Sequence, residues 1–150
     1  MCIRDSFKHF TARDVVCRWD VLMVASQATA HSAARFLDVL IERMPFCVQG
    51  IQVDGGSEFQ AAFEEACQRR GIRLFVLPPR SPKLNGHVER AHRTHAEEFY
   101  EVADLSWTVA EVNQQALAWE RVYNTIRPHQ ALNYKTPKQF LEELALARPP

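Results

Sequence analysis

The middle of this chain constrains its fold most, because it alternates strand-like and helix-like runs over fewer than 35 residues. Gly50-Ile51-Gln52-Val53-Asp54 ends an apolar run that begins at Val48, and Gly55-Gly56 turns the chain directly after it. Phe59, Phe63 and Cys67 then recur at i, i+4 and i+8, the spacing of one helical face over residues 58–70. Gly71 stands where such a helix ends, and residues 73–77 form a short apolar strand stopped by Pro78-Pro79. A strand–helix–strand unit of this kind belongs to a layered α/β fold.

The flanks extend the pattern. Residues 10–19 and 21–25 are rich in Val, Phe and Trp and predict two β segments. Residues 32–43 carry Ala33, Phe36, Leu37, Leu40 and Ile41 on one helical stripe that ends before Pro45. Downstream, a long helix reaching about residue 102 places Leu84, Val88, Ala91, His95, Phe99 and Val102 on one face. Another helix over 109–125 has Val112, Leu117, Trp119 and Val122 among its apolar positions. Thr136-Pro137, an N-cap followed by an N1 proline, opens a last helix to residue 147. The order β-β-α-β-α-β-α-α predicts an α/β sandwich whose sheet is mixed rather than purely parallel.

At 150 residues and 47% hydrophobic content, the chain has enough core to fold without a disulfide or structural metal. Cys2, Cys17, Cys47 and Cys67 lack metal-ligand spacing and read as reduced, mostly buried side chains. No run approaches the roughly 18 apolar residues of a membrane span. These features predict a cytoplasmic protein with no membrane partner.

Two carboxylates stand out. Asp54 lies at the carboxyl end of a strand, where α/β sheets place function, although an Asp-Gly turn without chemistry has the same sequence. Glu89 is the one acid among seven bases from Arg69 to Arg93, in a net-neutral chain. Its helical neighbours are Asn85, His92 and Arg93, and the loop before it holds Arg80 and Lys83 between prolines. An ordinary surface pair between Glu89 and Arg93 does not account for that loop. His87, His92 and His95 lack an HExxH or Cys-His arrangement and do not predict zinc.

Val53-Asp54-Gly55-Gly56-Ser57-Glu58-Phe59, then Pro79-Arg80-Ser81-Pro82 leading to Asn85-Gly86 and Val88-Glu89-Arg90, resembles the DDE-type integrase catalytic core of bacterial insertion-sequence transposases. Tyr123-Asn124-Thr125-Ile126-Arg127-Pro128-His129, with Thr136-Pro137 after it, is similar to the C-terminal signature of the same transposases. The resemblance implies an RNase H-like fold and metal-dependent DNA cleavage and strand transfer. It implies two Mg²⁺ or Mn²⁺ ions held by two Asp and one Glu, with Asp54 as the second carboxylate and Glu89 as the third. It further implies that Arg80, Lys83, Asn85, Arg90 and Arg93 bind DNA, and that the complete protein acts as a homo-oligomer on transposon ends and target.

The family's first Asp lies on a strand preceding the one read at 10–19. Met1-Cys2-Ile3-Arg4-Asp5-Ser6 does not resemble that strand, Asp14 matches a position outside the metal set, and Asp5 is poorly placed as a substitute. The expectation is therefore an N-terminally truncated, inactive fragment with its first strand missing. It divides into an unrelated leader (1–6), a partial RNase H-like core (7–105) and a C-terminal helical extension (106–150). The alternatives are a catalytically dead DNA-binding or assembly module and another RNase H-like nuclease.

Overall fold

The computed structural model describes residues 2–3, 7–81, 85–105 and 108–148. β1 (Cys2–Ile3), β2 (Phe7–Arg13) and β3 (Asp20–Ala25) form an antiparallel sheet in that order, with Arg13 opposite Asp20 at the β2–β3 turn. The sequence extends the strand to Trp19, but it stops at Arg13. The Asp14 carboxylate accepts hydrogen bonds from the backbone N–H of Val16 (3.1 Å) and Cys17 (2.7 Å), and Arg18 takes a φ of 63° to complete the reversal. Val15 and Val16, which carried the strand signal, are 54% and 58% exposed in that turn.

β3 is buried along nearly its whole length, and its alternating side chains serve two cores. Val21 and Met23 join Phe10 against helix α1 (Ala30–Arg43), whose Ala33, Phe36, Leu37 and Leu40 form the expected stripe. Val24 and Phe7 face the other cluster, with Phe99, Tyr100, Val112 and Ala116. Thr29 caps α1 by accepting from the Ser32 N–H (3.1 Å), and Ile41 is left outside, 40% exposed.

In the central unit, β4 (Gly50–Val53) and β5 (Arg73–Val76) pair in parallel, joined through α2 (Ala62–Arg69). The single helix expected over 58–70 is broken. A 3₁₀ turn, Ser57–Phe59, comes first, and Ala61 at φ 44° resets the chain before α2. Gly71 ends the unit at φ 67°, a left-handed position that suits glycine. The strands are mixed in direction, as the element order implies, but they divide into a three-stranded and a two-stranded sheet.

α3 (Gly86–His95) runs into a π-helical turn, Ala96–Tyr100. That turn adds a residue to the period, so Phe99 and Tyr100 are both buried while Val102, expected inside, is 72% exposed. α4 (Val109–Thr125) begins and ends as the sequence indicates, but its buried face is Val112, Ala116, Glu120, Tyr123 and Asn124. Val122, one of its apolar positions, is 36% exposed. α5 (Pro137–Leu146) starts in a complete capping box, with Thr136 Oγ1 accepting from the Gln139 N–H and Gln139 Oε1 accepting from the Thr136 N–H. Among the described residues no helix is long and apolar enough to cross a membrane.

Candidate active site

Asp54 follows the last residue of β4 and is exposed, and its Oδ1 accepts from the Gly56 N–H at 3.1 Å. It lines a cavity of about 550 Å³ between β2 and β4, together with Asn85 and with Val88 and His92 of α3. Asn85 precedes that helix and its carbonyl accepts from the Val88 and Glu89 N–H groups, both at 3.1 Å. Glu89 is one turn along, i+4 from Asn85, exposed on the helix flank and not part of the cavity wall. The structure thus brings Asp54 and Asn85 to one opening and sets Glu89 beside it. Arg80, Arg90 and Arg93 are exposed, and Lys83 lies outside the described residues.

A cation invisible to sequence reading joins this edge. Arg18, in the β2–β3 turn, hydrogen-bonds His87 Nδ1, and Arg13 Nη1 donates to the His87 carbonyl at 3.4 Å. Both contacts span about 70 residues, so no local pattern announces them. Burial first, then the guanidinium groups of Arg18, Arg13 and Arg90, hold His87 below the usual histidine range. The oxygen donors of Asp54 and Glu89 suit a hard divalent ion. Their number is smaller than a full cage, since among the described residues no group of three His, Cys, Asp or Glu side chains converges.

The densest polar chemistry lies elsewhere, along β3. Asp20, fully buried, accepts from Arg13 Nε (2.8 Å) and Nη2 (2.7 Å) and from His95 Nε2 (2.8 Å). Burial alone would raise this carboxyl, but the hydrogen bonds from Arg13 and His95 outweigh it and hold it below the ordinary carboxylate range. His95 Nδ1 accepts from Trp119 Nε1 at 2.9 Å; indole is only a donor, so Nε2 carries the imidazole proton. His95 is therefore a wholly buried structural residue.

α4 also covers the outer backbone edge of β3. Asn124 Oδ1, Glu120 Oε2 and Asn113 Oδ1 accept from the N–H groups of Asp20 (2.9 Å), Leu22 (2.8 Å) and Val24 (2.8 Å). The carbonyls of the same three residues accept from Asn124 Nδ2 (2.8 Å), Arg43 Nη2 (2.8 Å) and Asn113 Nδ2 (2.7 Å). Asn113, Glu120 and Asn124 share one helix face at i, i+7 and i+11, a polar stripe that an apolar-periodicity reading passes over. The Tyr123-Asn124 signature works here as architecture. Arg13 Nη2 donates to the Tyr123 hydroxyl, and His129 Nε2 donates to the Tyr123 carbonyl at 3.1 Å.

Comparison with known proteins bears on the family and the fold. Residues 70–137 match the family described as "Integrase core domain", a span that includes Asn85 and Glu89 but not Asp54. A 31.7 kDa protein of insertion element IS407 from Burkholderia multivorans is 28% identical over 95 residues, covering 61% of this chain and 33% of its own length. The chain thus spans about a third of that curated relative. In structure, it resembles the catalytic core domain of BIV integrase, with a TM-score of 0.69, 23% identity, and coverage of 92% of this chain and 88% of the other. It also resembles a chain of the simian T-cell lymphotropic virus intasome in complex with PP2A regulatory subunit B56 gamma, with a TM-score of 0.78, 18% identity, and coverage of 96% and 51%. Residues 70–137 thus match the integrase core domain family, and the chain as a whole is similar in fold, RNase H-like, to integrase catalytic cores.

Proposed function

We propose that this chain is the core of a polynucleotidyl transferase that cleaves and joins DNA strands at the ends of a mobile element, acting in the cytoplasm. The observation that carries this reading is the shared opening of Asp54, at the end of β4, and Asn85, at the start of α3, with Glu89 one turn away. Asp54 and Glu89 would hold Mg²⁺ or Mn²⁺, which supplies charge stabilisation at a phosphodiester and an activated hydroxyl nucleophile when bound. Arg80, Lys83, Arg90 and Arg93, with Asn85, would grip the DNA backbone, giving salt-dependent affinity with little sequence preference. Arg18 extends the same basic rim through its contact with His87. The complete protein would work as a homo-oligomer on paired DNA ends.

The absence of a third converging acid among the described residues favours a second reading, a DNA-binding or assembly module without its own chemistry. Duplex DNA titrations and Mn²⁺ calorimetry separate the two. On the enzymatic reading, Mn²⁺ binding is lost in Asp54→Ala and in Glu89→Ala, while DNA affinity stays within about threefold of the parent. Salt-dependent DNA binding with no Mn²⁺ uptake supports the module. Failure to bind DNA at low salt rejects both.

A further inference from the structure

We propose, on the reading above that this chain engages duplex DNA, that the turn between β2 and β3 is an apolar wedge. Val15 and Val16 enter between neighbouring base pairs and bend the duplex beside the Asp54 opening. The wedge selects double-stranded DNA by how easily a base step unstacks, not by which bases form it.

Exposure and rigidity coincide at this tip. Val15 and Val16 are more than half exposed and stand outside both hydrophobic cores among the described residues. Side chains so placed gain little from folding, and turns favour Gly, Pro, Asn, Asp or Ser instead. The turn is nonetheless tightly held. The Asp14 N–H donates to the Trp19 carbonyl at 2.9 Å, and the Asp14 carbonyl accepts from the Arg18 N–H at 3.0 Å. The Asp14 carboxylate takes the Val16 and Cys17 N–H groups, and Cys17 is buried, which pins the tip from below. Arg18 at φ 63° is a left-handed position without glycine, kept because these contacts over-determine it. A wedge requires such stiffness, since a pliant loop would yield before a base step does.

Position and charge choose the partner. The tip lies past the last β2–β3 pair, Arg13 opposite Asp20, at the end of the sheet and not on either lateral edge. Val15 lines the opening that also holds Asp54 and Asn85. Arg18 hydrogen-bonds His87 in the first turn of α3, and its guanidinium has several N–H donors beyond that one contact. Arg90, i+3 from His87, is exposed on the same helix. Two apolar side chains flanked by guanidinium groups suit a duplex, whose stacked bases are apolar and whose phosphates run on either side. An apolar protein surface would instead strip water from those cations without pairing them. The Asp14 carboxylate is turned onto backbone N–H groups, so it opposes the phosphates less than a free acid would.

The test uses the chain as it stands with short end-labelled duplexes, intact or carrying one central mismatch that is already partly unstacked. Anisotropy reads affinity and energy transfer between the ends reads bending. The parent should bend the intact duplex and bind the mismatched one about tenfold more tightly. Val15→Ser with Val16→Ser should weaken binding to the intact duplex by about tenfold and abolish both the bend and the mismatch preference. The salt slope of its affinity should match the parent's, because no phosphate contact is removed. Val15→Leu with Val16→Leu should keep the bend, which separates insertion from damage to the turn. Binding without bending, a serine pair that behaves as the parent, a leucine pair that loses the bend, or a serine pair with a lower salt slope overturns the wedge alone. No DNA binding by the parent at low salt overturns the wedge and the DNA reading together. A parent dimer that the serine pair dissociates also overturns the wedge, by making a second copy the occupant.

Discussion

Where α4 meets β3, the backbone groups that leave water are met by side chains: Asn113, Glu120 and Asn124 accept from alternate N–H groups, and Asn113, Asn124 and Arg43 donate to the matching carbonyls. Where β2 faces β4, apolar side chains line a cavity and no strand bridges the two sheets among the described residues. Among the described residues, one edge of the antiparallel sheet is therefore covered by a helix, and the other is paired at its β1 end. An exposed strand edge is a template for further pairing unless it is covered. The contrast sets the edge covered by α4 apart from the seam that also holds Asp54.

The largest expected effect is on the sealed edge. Glu120 accepts from both the Leu22 N–H and Arg43 Nη1 at 2.8 Å, and burial pushes its carboxyl up to about 7. Glu120→Ala strands the Leu22 N–H and removes the partner of a half-buried guanidinium. Urea unfolding should show a loss of about 2–4 kcal/mol, with Glu120→Gln losing less than half as much because an amide oxygen still accepts. A cost under about 1 kcal/mol for Glu120→Ala would mean that water already serves this edge, and the two seams would no longer differ in kind.

Much of the fold was legible in the chain, for reasons that particular residues make clear. The Phe59, Phe63 and Cys67 spacing and the glycine after it mark a crossover helix and its end, and α4 and α5 begin at side-chain caps visible as Thr108 and Thr136. Local signals of that type survive folding because they are satisfied within one turn. Three features were not legible. The Asp14 turn was hidden under Val15 and Val16, whose β preference yields to two backbone N–H groups donating to one carboxylate. The π turn after His95 changes the helical period without any distinctive residue. The sealed edge depends on polar residues of α4 facing inward, against the rule that the apolar stripe is the buried one. Asp54 and Asn85 were legible as candidates from motif alone, whereas Arg18 reaches the same region only through the folded hairpin.

The open seam should show itself in acid. His92 lines the cavity, and burial above all pushes it down to about 4 from an ordinary 6.5. The unfolded chain therefore binds this proton more tightly than the folded one. Its contribution to stability is complete above about pH 6.5 and erodes as the pH falls toward 4. Comparing parent and His92→Gln by urea unfolding across that window isolates the term from the opposite contribution of Glu120. The parent should lose about 1–2 kcal/mol relative to the variant between the two ends. Parallel curves would mean that the imidazole is already solvated and that this wall of the cavity is wet.

The smallest expected effect is the most direct measure of how unfinished the β4–β5 pair is. Phe75 and Val76 are 54% and 60% exposed, high values for strands of a parallel pair, and a Cβ added at Gly50 would lie 3.2 Å from the Phe75 ring. The ring thus lies across its own neighbouring strand, more than half exposed. Phe75→Ser should change stability by no more than about 0.5 kcal/mol, since half of the ring already contacts water. Phe36→Ser, at a core position on the other face of the seam, should cost several times more. If Phe75→Ser instead costs about 2 kcal/mol or more, something covers this strand in solution. Repeating the pair of measurements across a range of protein concentrations then shows whether the cover is another copy of the chain, because only that cover thins on dilution.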